Sequence, residues 1–280
     1  MSGKKLEGAV VAVTGGGRGI GLAIARALAA AGARISIGDI DEDLAKRAAA
    51  EVNGKGFALD VRDRASFECF IQCTEQSFGA VDILINNAGI MPTGDFLSET
   101  DITSDTQIDI NLRGVILGCK VAMPSMIQRR RGHIVNVASL AGHVAVPGLA
   151  VYCATKFAVM GLTQTLREEY RDSGLNFTAV CPSKVTTELA SGTDDAGRGV
   201  PTASPEDVAD AVVEALTKNL AMVTVPRYLD AVPALQGITP HWILRGARRF
   251  FGDRRILEDI DHTARASYTK RINSLEKSHS

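Results

Sequence analysis

Short apolar segments alternate with helical patterns between residues 9 and 226, and this alternation constrains the fold more than any other feature. The apolar segments predict strands at 9–13, 34–39, 56–61, 81–89, 132–139, 175–182 and 221–226. The intervening patterns predict helices at 21–32, 41–52, 64–78, 103–129, 152–173 and 204–219. Strands joined by helices form right-handed βαβ units, and nearly continuous apolar strands are typical of a sheet covered on both faces. We therefore predict an α/β fold with a parallel sheet.

The pattern changes after the sixth predicted strand. Residues 190–204 are rich in Gly, Ser, Thr and Asp, which predicts a mobile loop. Ser204 stands where an N-cap is expected, and Pro205 fits the first position of the helix that follows. Residues beyond about 227 do not continue the alternation, so we expect them to form a C-terminal extension.

The composition argues against several classes of protein. The formal net charge of −1 offers no long-range attraction to nucleic acid. No run of about 18 uncharged apolar residues is present, so we expect no transmembrane span. The apolar run at 9–13 is short and follows Glu7, which favours a first strand over a signal peptide. The five cysteines show no CxxC spacing, so we expect reduced thiols, no metal site and a cytoplasmic location.

The sequence TGGGRGIG at 14–21 joins the first predicted strand to the first predicted helix. Glycines at such a junction allow a tight turn and let the backbone approach a diphosphate at the helix N-terminus. The alternative is a turn that only packs the strand against the helix, but the position between these elements favours a dinucleotide site. The predicted cofactor-binding residues here are Gly15, Gly17, Arg18, Gly19, Ile20 and Gly21.

Asp39 ends the second predicted strand and bears on the identity of the dinucleotide. A carboxylate at this place can accept hydrogen bonds from both hydroxyls of the adenosine ribose, and it would repel a 2′-phosphate. Arg18 argues in the opposite direction, because an arginine in the glycine turn can reach a 2′-phosphate. We expect the charge of Asp39 to prevail and predict NAD(H) as the cofactor.

The segment SLAGHVAVPGLAVYCATK at 139–156 sets Ser139 thirteen residues before Tyr152, with Lys156 four residues later. One interpretation is a polar loop followed by a helix that carries a half-buried tyrosine and a solvated lysine. The other is a catalytic group whose three side chains converge on one substrate oxygen. Tyr152 and Lys156 share a face of the predicted helix, so the lysine charge can stabilise a phenolate.

Several motifs, in this order, resemble the short-chain dehydrogenase/reductase family in its compact single-domain branch. They are TGxxxGxG at 14–21, Asp60-Val61 after the third strand, NNAG at 86–89, Asn111 in the fourth helix, Ser139 after the fifth strand and YCATK at 152–156. The resemblance covers about residues 6–230. It implies a single-domain Rossmann-type, doubly wound parallel sheet of about seven strands. It also implies that the protein oxidises an alcohol or reduces a ketone with a nicotinamide cofactor.

The resemblance implies a role for each matching residue. Tyr152 would give or take the proton, and Lys156 would stabilise the phenolate and bind the nicotinamide ribose. Ser139 would hold the substrate oxygen, and Asn111 would hold a water that links Lys156 to solvent. The other implied cofactor contacts are Asp60 and Val61 at the adenine, Asn87 and Gly89 along the cofactor path, and Val185 and Thr187 at the carboxamide. The chain departs from the family pattern where Ser183 replaces the usual glycine after Pro182.

Two other functions are compatible with such a fold. Epimerases and dehydratases usually have the spacing TGxxGxxG, and a non-catalytic, cofactor-sensing protein should have lost Tyr152 or Lys156. We therefore favour the dehydrogenase, with a dinucleotide-binding and catalytic domain at 1–230 and a C-terminal helical extension at 231–280. The resemblance further implies a homodimer or homotetramer that pairs through the helices at 103–129 and 152–173.

The C-terminal tail resembles the extensions of short-chain enzymes related to retinol and hydroxysteroid dehydrogenases, which favours a lipophilic alcohol or ketone. Within it, HWILRGARRFFGDRRI at 241–256 mixes apolar side chains with arginines. One hypothesis is a lid over the substrate pocket, and the other is an interfacial helix on an anionic membrane. The apolar positions do not form one helical stripe, so the lid is preferred and peripheral membrane contact is the alternative.

Overall fold

The structure is a computed structural model that describes residues 6–193, 202–231 and 260–277. The strands of its main sheet are β1 (Val10–Thr14), β2 (Arg34–Asp39), β3 (Lys55–Ala58), β4 (Ile83–Asn86), β5 (Gly132–Val137), β6 (Leu175–Pro182) and β9 (Met222–Val225). They lie in the order β3-β2-β1-β4-β5-β6-β9, and every pair is parallel. The short strands β7 (Lys184–Val185) and β8 (Thr202–Ala203) form a separate pair. The predicted seven-stranded parallel α/β sheet is confirmed.

Helices cover both faces of this sheet. One face is covered by α1 (Gly19–Ala30), α2 (Glu42–Glu51) and α7 (Pro205–Lys218), which pack in a core with Val11 and Val13 of β1. The other face is covered by α3 (Arg64–Phe78), α5 (Gly114–Gln128) and α6 (Ala150–Glu169), which pack with Val10 and Ala12. Successive residues of a strand point to opposite faces, so β1 needs apolar residues throughout.

The strand order reverses between β1 and β4. From β1 the chain builds outward through β2 and β3, and it then returns to add β4 on the other side of β1. In open α/β sheets, the carboxyl ends of the strands form a crevice at such a switch point, and ligands bind there. The glycine turn follows β1 and the residues Asn87–Gly89 follow β4, so both predicted motifs lie at this crevice.

Several predicted boundaries were wrong by a few residues. The third strand ends at Ala58, not at 61, because the chain turns where the Asp63 N–H donates to Asp60 O. The fourth strand ends at Asn86, where side-chain hydrogen bonds of Asn87 and Thr14 replace the ladder. The helix predicted at 152–173 is α6 and ends at Glu169. The predicted N-cap of α7 is confirmed, since Ser204 Oγ accepts from Asp207 N at 3.1 Å within a capping box.

The helix predicted at 103–129 contains an irregular turn. It consists of α4 (Asp101–Ile108), a π-helical turn at Asp109–Arg113 and α5. By length and composition the stretch Asp101–Gln128 could cross a membrane, but 56% of its most apolar window is buried inside the fold. That burial is typical of a core helix, which here packs against the sheet.

The last described element is α8 (His262–Lys277), a helix of the C-terminal extension. Its Thr263 and Ala264 N–H groups donate to Asp261 Oδ1, which satisfies two otherwise free N-terminal amides. The segment 241–256, on which the lid and membrane hypotheses were based, lies outside the described residues, as do residues 194–201 of the predicted mobile loop.

Candidate active site

A cavity of about 540 Å³ opens at the carboxyl edge of the sheet. Fourteen of the predicted site residues line it: Gly15, Arg18, Gly19, Ile20, Asp39, Asp60, Val61, Asn87, Gly89, Ser139, Tyr152, Lys156, Val185 and Thr187. Three others, Gly17, Gly21 and Asn111, lie behind this lining. The structure thus brings both predicted groups, the cofactor residues and the catalytic residues, to one continuous site.

The glycine turn places backbone where side chains would collide. Gly15 and Gly19 have φ angles of +60° and +53°, which other residues rarely adopt. A Cβ on Gly21 would lie 2.5 Å from Asn87 Nδ2 and still closer to Gly15 O. The helix α1 begins at Gly19, and Gly19 and Ile20 line the cavity, so the first N-terminal amides of this helix lie beside it. The turn therefore leaves room for a phosphate group beside a helix N-terminus.

Asp39 is buried at the end of β2 and is already hydrogen-bonded. One carboxylate oxygen accepts from Gly17 N at 3.0 Å, and the other accepts from Asp41 N at 3.2 Å. Its first role is therefore to hold the glycine turn, and it also lines the cavity. Arg18 lies across this turn but forms a 3.0 Å ion pair with Glu188.

The polar residues Thr14 and Asn87 connect β1 to β4. Thr14 Oγ1 accepts from the N–H groups of both Asn87 and Ala88, at 3.0 and 3.1 Å. Asn87 Nδ2 donates to the carbonyl oxygens of Thr14 and Gly15 at 3.0 and 2.9 Å. These bonds fix the glycine turn against the end of β4, so Asn87 shapes the cofactor crevice as well as lining it.

The end of the cavity at Asp60 and Val61, where the resemblance implies the adenine, contains an ion pair that was not predicted from the sequence. Arg62 Nη2 lies 2.7 Å from Asp60 Oδ2, and Arg62 Nε also contacts both oxygens of that carboxylate. The Arg62 side chain is 10% exposed, so its plane is held in one position next to Val61. The sequence signal that could have predicted this ion pair is the position of Arg62, two residues after Asp60.

The other end of the cavity contains the three predicted catalytic side chains Ser139, Tyr152 and Lys156. Lys156 Nζ lies 5.6 Å from the centroid of the Tyr152 ring and donates to Val137 O at 2.9 Å. Ser139 Oγ accepts from Ala141 N at 3.1 Å, which turns the serine towards the cavity at the end of β5. The interpretation of Lys156 as a solvated lysine is wrong, because it is only 5% exposed.

Burial changes the acidity of both titratable groups. It raises the pKa of Tyr152 above its usual value, while a hydrogen bond with Ser139 acts in the opposite direction. It also lowers the pKa of Lys156 to about 8, because the ammonium group has lost most of its water. An acid with a raised pKa and a base with a lowered one share a cleft, an arrangement that is common at catalytic sites.

Asn111 lies on the π-helical turn and is fully buried. Its Oδ1 accepts from Ile90 N and its Nδ2 donates to Ile90 O, both at 2.8 Å, and Nδ2 is 3.4 Å from Thr155 Oγ1. It therefore joins the segment after β4 to α6, beside Tyr152 and Lys156. π-Helical turns often occur at functional sites, which agrees with this position.

The C-terminal helix supplies lining residues that the sequence analysis did not identify. Arg271 and Leu275 of α8 line the cavity. Arg271 Nη1 lies 2.6 Å from Glu188 Oε2, the atom that also pairs with Arg18. Arg62 Nη1 donates to Leu275 O at 3.1 Å. No sequence motif marks these positions.

These residues fit a nicotinamide dinucleotide. The glycine turn would hold the diphosphate, Asp39 the adenosine ribose, and Asp60 and Val61 the adenine. Lys156, Val185 and Thr187 line the end where the nicotinamide and its ribose would lie. Within the described ranges, no group of three or more His, Cys, Asp or Glu side chains is arranged to hold a metal ion.

Comparison with known proteins also supports an enzyme that binds a nicotinamide dinucleotide. The family model described as short chain dehydrogenase matches residues 9–197. A 2-(S)-hydroxypropyl-CoM dehydrogenase of Xanthobacter autotrophicus is 37% identical over 239 residues, which cover 79% of this chain and 94% of that protein. The oxidoreductase UcpA of Escherichia coli is 41% identical over 192 residues, covering 66% of this chain and 73% of that protein.

A solved structure agrees in fold as well. A short-chain dehydrogenase/reductase from Burkholderia phymatum in complex with NAD has a TM-score of 0.76 and 26% identity, covering 83% of this chain and 94% of that one. The chain belongs to the short-chain dehydrogenase/reductase family. It is an oxidoreductase that acts on alcohols or ketones with a nicotinamide cofactor. The relation of its tail to retinol and hydroxysteroid dehydrogenases stays a prediction.

Proposed function

We propose that this short-chain dehydrogenase/reductase transfers a hydride between NAD(H) and a lipophilic alcohol or ketone, with Tyr152 as the proton donor and acceptor. The observation that carries the proposal is the position of Tyr152. The Tyr152 ring is buried, and its centroid lies 5.6 Å from Lys156 Nζ. Ser139 forms a hydrogen bond with the Tyr152 hydroxyl. All three side chains line one cavity at the carboxyl edge of the sheet.

The protein contributes the proton and the electrostatic environment. The nicotinamide ring, when bound, supplies or accepts the hydride. In ketone reduction, Tyr152 gives its phenolic proton to the oxygen on which negative charge develops, and Ser139 donates a hydrogen bond to the same oxygen. In alcohol oxidation, Tyr152 starts as the phenolate and takes the proton, and the adjacent Lys156 ammonium stabilises that phenolate before the transfer. Asn111 holds the neighbouring backbone and orients this group.

The preference for NAD(H) is supported by the charge at the end of β2. Asp39 lines the cavity and is held rigidly by Gly17 N and Asp41 N. A 2′-phosphate placed beside this buried carboxylate would suffer like-charge repulsion. Arg18 could offset part of this repulsion, and its ion pair with Glu188 already balances part of its charge.

The preference for a lipophilic substrate is supported by the substrate end of the cavity. Its lining there is largely apolar, with Met91, Val144, Val146, Leu149 and Leu189. Pockets with apolar walls and a few polar groups bind apolar ligands in one orientation. The name of the Xanthobacter relative contains a 2-hydroxypropyl group, which is a secondary alcohol, and this favours a secondary alcohol here.

The test is a panel of aliphatic, terpenoid, retinoid and steroid alcohols and their ketones, each with NAD(H) and NADP(H), followed by nicotinamide absorbance. We expect turnover of apolar secondary alcohols with NAD and a lower kcat/KM with NADP. Equal or better use of NADP(H) would overturn the cofactor assignment. Turnover restricted to polar or charged alcohols would overturn the substrate class. Cofactor binding without turnover of any compound would favour a cofactor-sensing protein.

We also propose a homodimer or homotetramer that pairs through α4, α5 and α6. Apolar side chains are exposed on two of these helices, Ile102 at 37% and Ile108 at 42% on α4 and Phe157 at 45% on α6. A symmetric partner would cover them. Sedimentation of the 29.7 kDa chain as a monomer at micromolar concentration would contradict this. The division at residue 230, the cytoplasmic location and the peripheral membrane contact stay predictions.

A further inference from the structure

The helix α8 lies beside the cavity, which its residues Arg271 and Leu275 line. At its beginning, Arg265 Nη1 donates to Leu189 O and Ser191 O at 3.2 and 2.8 Å, next to the substrate end. Near its end, Leu275 O accepts from Arg62 at the adenine end. A rise of about 1.5 Å per residue puts residues 265 and 275 about 15 Å apart along the helix. One helix therefore connects the segment at Leu189 and Ser191 with Arg62, at two separate regions of the cavity.

Both ends of α8 are fixed to the body of the protein. The Tyr268 hydroxyl accepts from Met91 N at 2.7 Å, and this side chain is only 1% exposed. Thr103 Oγ1 of α4 donates to Glu276 Oε1 at 2.7 Å. The backbone of Asp261 also donates to Gly192 O at 3.0 Å. The helix is thus held in place on either side of Arg271.

Arg271 lies where the two sides of the diphosphate crevice meet. A Cβ on Gly19, in the glycine turn, would lie 3.6 Å from Thr187 Cγ2. The residues next to these two, Arg18 and Glu188, form an ion pair, and Arg271 pairs with the same Glu188 oxygen at 2.6 Å. Arg271 therefore lines the cavity at the N-terminus of α1, where phosphate groups bind in this type of fold.

We propose that Arg271 binds the diphosphate of the nicotinamide cofactor, so that α8 covers the bound dinucleotide. This inference rests on the proposed function, since it requires a dinucleotide in the crevice. The guanidinium groups of Arg18 and Arg271 share the carboxylate of Glu188. These three groups together have a net charge of about +1, which attracts a diphosphate. A guanidinium has five N–H donors, so Arg271 can keep its bond to Glu188 and also donate to a phosphate oxygen.

The test compares NADH affinity in Arg271→Gln and in Lys270→Gln by isothermal titration calorimetry of the full chain. Lys270 is the neighbouring residue on α8 and is exposed to solvent, so its variant removes the same charge away from the cavity. Loss of a charge-assisted hydrogen bond should raise the Kd of NADH about tenfold in Arg271→Gln. Lys270→Gln should leave the Kd within about twofold, because exposed charges contribute little.

Adenosine, measured by competition with NADH, separates binding from structure because it lacks the diphosphate. We expect its inhibition constant to be the same in the unmodified protein and in Arg271→Gln. An equal loss for adenosine and NADH would show that Arg271 only holds α8 in place, and this would overturn the proposal. Equal NADH affinity in both variants would also overturn it. Absence of NADH and NADPH binding to the unmodified protein would instead refute the proposed function.

Arg271→Lys keeps the experiment decisive if Arg271→Gln does not fold, which thermal unfolding of each variant will show. Lysine keeps the charge but loses the planar fork that binds two acceptors at once. We expect an NADH affinity between those of the unmodified protein and Arg271→Gln, with adenosine unaffected. Unchanged NADH affinity in Arg271→Lys, where Arg271→Gln is unfolded, would overturn the proposal.

Discussion

The two sides of the cofactor cavity are built in different ways. The inner wall consists of residues at the strand ends and on α1 and α6, among them Asp39, Ser139 and Tyr152. The outer wall consists of Arg271 and Leu275 on α8. The inner wall is fixed by the sheet and by buried hydrogen bonds such as those of Thr14 and Asn87. The outer wall is one helix attached through a few side chains. We infer that the inner wall carries the chemistry and most of the cofactor contacts, and that the outer wall adds to cofactor retention.

The largest expected effect contrasts two buried tyrosines, Tyr152 of the inner wall and Tyr268 on the outer helix. Tyr152→Phe should lower kcat about 100- to 10,000-fold, because it removes the proton donor and acceptor. Tyr268→Phe removes a hydrogen-bond acceptor for Met91 N, which should lower stability by about 1 kcal/mol and leave kcat nearly unchanged. Steady-state kinetics and calorimetric NADH binding check both variants, and chemical denaturation measures the stability change in Tyr268→Phe. Near-normal turnover in Tyr152→Phe would refute its role.

A second effect concerns backbone packing in the inner wall. A Cβ on Gly21 would meet Asn87 Nδ2 at 2.5 Å, whereas a Cβ on Gly161 of α6 has no atom within 4 Å. Gly21→Ala should cost about 1–3 kcal/mol of unfolding free energy through overpacking, and it should weaken NADH binding. Gly161→Ala should stabilise the protein by about 0.5–1 kcal/mol, since alanine favours a helix. Chemical denaturation measures both. Equal stability of the two variants would contradict the close packing of the glycine turn.

A third and smaller effect concerns cofactor choice. Asp39→Ser should shift the ratio of kcat/KM for NADP and NAD towards NADP by about tenfold, because the like-charge repulsion is removed. Asp39→Asn is the matched control, since it removes the charge but keeps an acceptor for Gly17 N. A shift in both variants would assign the preference to charge. A shift in Asp39→Ser alone would assign it to the shape of the glycine turn.

The smallest effect concerns the attachment of the outer wall. Burial alone would raise the pKa of Glu188, but hydrogen bonds and charges from Arg271 and Arg18 outweigh it, so the pKa lies below its usual value of 4.5. The ionised form therefore stabilises the fold above pH 4.5, and this contribution is lost as the pH falls through the lower folded-state pKa.

Acidification should consequently loosen α8. The ion pair is partly exposed, so its loss should weaken the helix attachment by about 1 kcal/mol or less. Hydrogen exchange of the α8 amides, corrected for intrinsic rates, measures this. In Glu188→Gln the exchange should be faster at neutral pH and change less on acidification. Identical pH profiles in the two proteins would show that Glu188 does not hold the helix.

The inner wall could be predicted from the sequence because its geometry requires particular residues. Gly15 and Gly19 have positive φ angles, and Gly21 has no space for a side chain. Ser139, Tyr152 and Lys156 are spaced so that a strand end and a helix bring them together. The chemistry at each place restricts the residue type, and these restrictions remain visible in the sequence.

The outer wall could not be predicted in this way. Arg265 bonds to the carbonyl oxygens of Leu189 and Ser191, which any residue at those positions would provide. Such contacts leave no complementary residue in the sequence. The end of β3 was predicted three residues too late, because its apolar pattern continues beyond the strand. The apolar residues Leu59 and Val61 extend the pattern of β3, although the turn at Asp60 has already left the sheet.

The π-helical turn at Asp109–Arg113 has a mechanical consequence for both walls. One extra residue in a helix changes the angular phase between its two parts by about 100°, given 3.6 residues per turn. The π-helical turn therefore determines which direction each side chain of this helix faces. Asn111, on the turn, faces Ile90, and Thr103, on the preceding α4, faces Glu276 of α8. Removing a single residue there would regularise the helix and turn Thr103 away from its partner. The position of α8 relative to the inner wall thus depends on the angular phase of one helix.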